Sequence, residues 1–195
     1  MAVVRAFVAL LLDDATRGAV AAQIERLRSL SRAVAWVPPQ NLHLTLKFLG
    51  EQSETRLGEA LGALEETAAG AAPFTIALHG VGAFPGMERP RILWVGVAEG
   101  ALEARALQSR LDTALGSRGF AGDDRPWHPH LTIGRVFDDR RWRREATPDL
   151  RHAIAEAARL GFGALAVTRL ALMRSDLSPS GARYSELHSV SLKTS

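Results

Sequence analysis

Two histidines in this chain each stand two residues before a threonine. "NLHLTLKFLG", residues 41 to 50, and "HPHLTIGRVF", residues 128 to 137, carry the same His-Leu-Thr triplet. In a strand, side chains alternate between faces. His43 and Thr45 therefore share one face, with Leu44 and Leu46 behind them, and His130 and Thr132 share another, backed by Leu131 and Ile133. Each triplet offers an imidazole and a hydroxyl side by side on a rigid, packed platform. Two imidazoles facing one another across a cleft can run acid–base chemistry, one taking a proton from water and the other giving a proton to a leaving oxygen. An unperturbed pKa of about 6.5 suits histidine to both tasks. The threonine hydroxyls could donate to non-bridging phosphoryl oxygens as charge develops there. In-line displacement at phosphorus requires the acid and the base on opposite sides of the phosphorus atom, which two strands related by a pseudo-two-fold axis would provide. A lone His-x-Thr carries no such weight, and His79, His128, His152 and His188 have no twin.

Neighbouring residues extend the pattern. Lys47 shares the face of His43 by strict alternation, and Phe48 takes the core face. Arg135 follows His130 by five residues, which alternation would turn away, unless Gly134 marks a bulge that re-aims it toward a phosphate. "RVFDDRRWRRE" sets Arg140, Arg141, Arg143 and Arg144 around Trp142 in a polar connection. Such a stretch is either a solvated loop or an RNA-backbone grip with one stacking ring. Phe48 and Trp127 flank the triplets and are candidates for a base pocket.

The elements that must position these residues follow from periodicity. Val3–Leu12 reads as a buried strand, followed by a helix capped by Asp13 or Asp14 and running to about Ser31. "VAWVPP" is a short extended piece, and Leu42–Leu49 is a strand ended by Gly50. Ser53 caps a second helix with Leu57, Leu61 and Leu64 on one face. Phe74–Val81 and Arg91–Val97 are strands, Ala101–Leu115 is a third helix, and Pro129–Val136 is the strand of the second triplet. A helix over about Asp149–Leu160 precedes a hairpin of Leu165–Arg174 with Tyr184–Leu192, whose connection "SDLSPSGAR" is turn chemistry. Several strand pairs have connections too short for parallel crossovers, so the class is α+β with antiparallel sheets.

Composition sets bounds. The chain has 195 residues, enough for one sizeable domain or two lobes sharing a core. With no cysteine, thiolate metal ligands, cysteine nucleophiles and disulfides are all excluded. The net charge is +3, and Lys47 and Lys193 are the only lysines among 24 cationic residues. Arginine suits bidentate phosphate recognition, though a GC-rich genome explains the same bias. Arg5 and the Asp13–Asp14 pair break the N-terminal apolar run, so it is not read as a signal peptide, and a cytoplasmic protein without membrane spans is expected.

The paired triplets resemble the motifs of the 2H phosphoesterase superfamily. The longer stretches "VAWVPPQNLHLTLKFLG", "GVGAFPGMERPRILWVGV", "RPWHPHLTIGR" and "LALMRSDLSPSGARYSEL" are similar to its RNA 2′,3′-cyclic phosphodiesterase branch, also called 2′-5′ RNA ligase. The family pattern is His-x-Thr followed by a hydrophobic residue, filled here by His43, Thr45 and Leu46 and by His130, Thr132 and Ile133. The resemblance implies residues 1–195 as one bilobal, pseudo-two-fold α+β domain with a four-stranded antiparallel sheet or similar in each lobe, a central cleft between the sheets, and helices packed outside. It implies metal-independent hydrolysis of an RNA 2′,3′-cyclic phosphate end, or of a small cyclic nucleotide, to a 2′-phosphomonoester, with reversible ligation as a further capacity. By that analogy His43 is the proton donor, His130 the proton acceptor, Thr45, Thr132 and Arg135 bind the phosphate, no cofactor takes part, and the chain works as a monomer. Two alternatives stand beside it. One is a metal-dependent phosphodiesterase using His128, His130, Asp123 and Asp124. The other is a non-catalytic protein that grips RNA ends.

Overall fold

The structure is a computed structural model describing residues 3–123, 126–179 and 181–193. Strand β1 (Val4–Leu11) lies inside a four-stranded antiparallel sheet of order β3-β1-β8-β9, with β3 spanning His43–Gln52, β8 Arg169–Ser178 and β9 Gly181–Ser191. The second sheet has five strands in the order β2-β6-β5-β4-β7, comprising β2 (Val34–Trp36), β4 (Phe74–Phe84), β5 (Ile92–Val97), β6 (His130–Val136) and β7 (Gly161–Val167). All strand pairs are antiparallel. Two of these pairs, β4–β5 and β8–β9, join consecutive strands through connections too short for a parallel crossover, and the others bring together strands distant in sequence.

Helices cover the outer faces. Helix α1 (Asp14–Arg28) starts where the Asp13 carboxylate accepts from the Thr16 amide, and α2 (Glu54–Ala69) starts at Ser53, whose hydroxyl accepts from Arg56. Their buried residues recur at helical spacing, Val20, Ile24 and Leu27 on α1 and Ala60, Ala63, Leu64 and Thr67 on α2. Helix α3 (Ala101–Gly116) packs beside α2, and α5 (Pro148–Ala157) lies near β4. One continuous core joins the two sheets: Val8, Leu44 and Leu172 of the first and Leu93, Leu131 and Ile133 of the second belong to it.

Strand β1 separates two apolar environments. Ala6, Val8 and Leu10 enter the main core, while Phe7 and Ala9 join Ala171 and Met173 in a smaller cluster on the opposite, cleft-facing side. The expected buried strand thus alternates in the ordinary way, but both its faces are covered.

Three expectations need correction. Leu165–Arg174 is not one strand: the chain leaves the five-stranded sheet at Val167 and enters the four-stranded one at Arg169, with Thr168 as the switch. Strands β8 and β9 run up to Ser178 and from Gly181, so most of "SDLSPSGAR" is ladder rather than loop, and Ser180 lies outside the described residues. The stretch expected as a polar connection contains α4 (Asp139–Glu145), capped by the Asp138 carboxylate on the Arg141 amide. Trp142 is only 1% exposed there, so it fills the core and cannot stack a base.

Candidate active site

Both triplets sit in the same ladder geometry. In the first half, Leu11 pairs with His43, Leu10 with Leu44 and Ala9 with Thr45; Leu46 is then skipped, and Val8 pairs with Lys47 and Phe7 with Phe48. In the second, Gly96 pairs with His130, Val95 with Leu131 and Trp94 with Thr132; Ile133 is skipped, and Leu93 pairs with Gly134 and Ile92 with Arg135. Each strand therefore carries a β-bulge one residue after its threonine. A bulge inserts one residue and resets the alternation. The fifth residue after each histidine, Phe48 or Arg135, returns to the histidine's face. The fourth, Lys47 or Gly134, turns inward.

This bulge corrects the reading of β3. Phe48 is 65% exposed rather than packed in the core, and Lys47 is 3% exposed rather than lying at the surface beside His43. Arg135 is exposed on the His130 face, as the Gly134 bulge allows. A glycine is needed there because an added Cβ would come within 2.5 Å of Val34 and 3.0 Å of the Trp36 ring on the adjoining strand.

The two imidazoles are held alike. His43 Nδ1 lies 2.7 Å from the Asn41 carbonyl, and His130 Nδ1 lies 2.8 Å from the His128 carbonyl. A carbonyl can only accept, so each Nδ1 carries the proton and each Nε2 is left to exchange one. Asn41 is itself pinned by its side-chain amide, which donates to the Ala182 carbonyl at 2.7 Å. Aromatic rings brace both imidazoles. Phe7 lies 4.8 Å and Tyr184 5.1 Å from the His43 ring, while Phe84 stands edge-on to the His130 ring at 5.1 Å. Trp94 fills the place that Ala9 holds in the other half, and its ring covers Gly82 so closely that no side chain fits there.

Both histidines are half-buried, neither sealed nor fully exposed. Loss of hydration holds the pKa of each below its ordinary value. The bonds to Asn41 and His128 oppose this, and the positive charge of Arg135 adds to the lowering at both rings. Arg135 thus reaches electrostatically to both triplets. Strands β3 and β6 also lie in contact, and the Trp127 indole donates to the Thr45 carbonyl at 3.1 Å. The two triplets therefore meet at one cleft. Thr45 and Thr132 are half-buried on its faces, and neither hydroxyl is hydrogen-bonded among the described residues.

The metal alternative finds little to build on. Asp123 is engaged by Lys47 at 2.9 Å, His128 points outward in an exposed position, and Asp124 lies outside the described residues. No three His, Asp or Glu side chains converge among the described residues. Reading the sequence alone missed the rings that brace the histidines, Phe7, Tyr184 and Phe84, and Trp94 behind Phe84, because those contacts join distant strands. The matched carbonyls had a signal: Asn41 and His128 each stand two residues before a site histidine.

Residues 16–179 match the 2′-5′ RNA ligase superfamily. The chain belongs to that family. Among its relatives is the RNA 2′,3′-cyclic phosphodiesterase of Methanothermobacter thermautotrophicus, 36% identical over 184 residues, covering 94% of this chain and 96% of that one. The enzyme of the same name from Thermus thermophilus is 34% identical over 194 residues, covering 97% and 90%. A crystal structure of a Thermus thermophilus protein superposes with a TM-score of 0.79 at 31% identity, covering 96% of this chain and 97% of that one. Escherichia coli LigT in its apo form superposes at 0.71 with 26% identity over the whole of both chains. The bilobal 2H phosphoesterase architecture and the 2′-5′ RNA ligase superfamily membership thus agree with the doubled ladder geometry of the site.

Proposed function

We propose that this protein hydrolyses RNA ends bearing a 2′,3′-cyclic phosphate to 2′-phosphomonoesters, using two histidines and neither metal nor cofactor. The observation that carries this reading is the matched pair of Nδ1 contacts, which leaves Nε2 of His43 and of His130 as the proton-exchanging atoms at one cleft. The names borne by the relatives supply the substrate class.

His130 Nε2 takes a proton from water as the water oxygen attacks phosphorus. The bond from phosphorus to the 3′ oxygen breaks, and His43 Nε2 gives that oxygen its proton. The turnover leaves His130 protonated and His43 neutral, and exchange with solvent restores both. Thr45 and Thr132 donate to the non-bridging oxygens, and the Arg135 guanidinium offsets the charge that builds there. With a 5′-hydroxyl end in the place of water the same steps join two ends, and cleavage of that joint exchanges the roles of the two rings. Residues 1–195 act as one unit, which the shared core supports. The absence of cysteine suits a reducing cytoplasm.

The test is to incubate the purified protein, in excess chelator, with an oligoribonucleotide ending in a 2′,3′-cyclic phosphate and to identify which hydroxyl retains the phosphate. A 2′-phosphate formed at full rate is expected. Loss of activity in chelator would favour the metal-dependent alternative, and binding without turnover would favour the end-gripping one.

A further inference from the structure

Lys47 lies on the back of β3, away from the cleft, yet its ammonium is spent on the other half of the molecule. Its Nζ is 2.5 Å from Asp112 Oδ1 on α3 and 2.9 Å from Asp123 Oδ2, in the segment that leads from α3 into β6. Burial alone would push the Lys47 pKa down, but the bonds to the two carboxylates outweigh it and hold the group charged. Four residues beyond Asp123, Trp127 makes its bond to the Thr45 carbonyl on the same strand. The next residue, His128, supplies the carbonyl that orients His130.

The two halves therefore differ in how the acceptor for the histidine Nδ1 is fixed. Asn41 is fixed within its own half, through its amide on Ala182 of β9. His128 follows a segment whose side-chain anchors, Asp123 and Trp127, both end on β3 of the opposite half. At the equivalent place in β6, Gly134 has no side chain with which to return such a tie.

We infer that Lys47 is a positioning residue for His130: by holding Asp123 it straps the segment before β6 onto β3 and keeps the His128 carbonyl under the His130 ring. Lys47 touches no reacting atom and acts only through that segment. The inference rests on the reading of His130 as the base, but the strap itself can be tested without that reading.

The experiment uses the full chain with histidine side chains labelled for nitrogen NMR. In the unmutated protein both His43 and His130 should show the Nδ1–H tautomer. In Lys47→Met, which keeps the bulk of the stem and removes the charge, His130 should show a mixture of tautomers while His43 is unchanged. The two carboxylates left behind are 34% and 55% exposed and can hydrate, so the fold should hold. The turnover number on a cyclic-phosphate oligonucleotide should fall about tenfold with KM within about twofold, as expected when a reacting group is mispositioned. Lys47→Arg should recover part of both readouts. Asp123→Asn, on a half-exposed carboxylate, should act in the same direction more weakly and keeps the test available if Lys47→Met does not fold. An unchanged His130 tautomer in both variants would overturn the strap, as would equal disturbance of His43 and His130. A disturbed His130 tautomer in a protein with no phosphodiesterase activity would keep the strap and sink the catalytic reading.

Discussion

Phe7, Tyr184 and Phe48 line the cleft on the His43 side; on the His130 side stand Phe84 and, in the place of Phe48, the exposed positive charge of Arg135. Strands β3 and β6 share register and bulge, so the contrast is one of side chains on equivalent backbones. Phe48 stands where Arg135 stands, and Ala9 where Trp94 stands. On the proposed reading, the symmetric frame gives the two imidazoles equal access to one phosphorus centre. The unequal side chains would then decide, on that same reading, which way round a substrate lies, and hence which ring gives a proton and which takes one.

The sharpest way to break the comparison is to remove one histidine at a time. His43→Ala and His130→Ala should each lower turnover at least about a hundredfold, the range of general acid–base catalysis. The pH profile of kcat/KM separates their roles. The base must be neutral and the acid protonated, so the intact protein should give a bell. Burial and Arg135 hold both pKa values below the ordinary histidine value, which places the maximum below about 6.5. The residual activity of His130→Ala should lose the rise on the acid side, and that of His43→Ala should lose the fall on the alkaline side. The opposite pattern would exchange the two roles, and a flat profile in the intact protein would end the two-histidine scheme.

Much of this was legible in the sequence because alternation is a local rule. His43 with Thr45, and His130 with Thr132, need only two residues of regular strand to share a face, and both do. The rule fails at the next residue. In β6 the bulge has a visible mark in Gly134, and Arg135 can be placed by it. In β3 the same bulge has Lys47 in that position, and nothing in a lysine signals a register shift, so alternation puts Lys47 and Phe48 each on the wrong face. What stabilises the bulge there is the pair of carboxylates on and beyond α3, more than sixty residues away in sequence. The same limit explains Trp142, whose burial is set by tertiary packing, and Thr168, where only the short polar pair Thr168–Arg169 marks the point at which the chain changes sheets. The four- and five-stranded sheets otherwise match the expected two-lobed α+β plan, β2 being the added strand in the second.

A middle-sized effect should follow from Arg135, the charge that distinguishes the second half. A charge-assisted hydrogen bond to a phosphoryl oxygen contributes roughly 1.5–3 kcal/mol, so Arg135→Ala should lower kcat/KM about ten- to a hundredfold. The same substitution removes a positive charge that disfavours protonation of both imidazoles. Both pKa values should rise, and the maximum of the kcat/KM profile should move to higher pH. Arg135→Lys should keep the profile in place while restoring only part of the rate, because an ammonium supplies the charge without the planar fork. A rate loss with no movement of the profile would mean that Arg135 acts on the phosphate alone and that the electrostatic link between the halves is weak.

The smallest expected effect lies at Phe48, the counterpart of Arg135. Its ring is 65% exposed, rests 6.2 Å from Phe7, and cannot take part in proton transfer. An exposed ring at the rim of the proposed phosphate site is suited to stacking on a base, a contact of roughly 1–3 kcal/mol when well formed. Because Phe48 is braced on one side only, the low end applies, and Phe48→Ala should raise KM about fivefold with little change in kcat. A short cyclic-phosphate oligonucleotide should feel this loss, whereas a cyclic phosphodiester lacking a base should not. If the baseless compound loses as much, Phe48 acts by packing against Phe7, which in turn lies against His43, and the aromatic wall of the first half serves to hold the imidazole rather than to read the substrate.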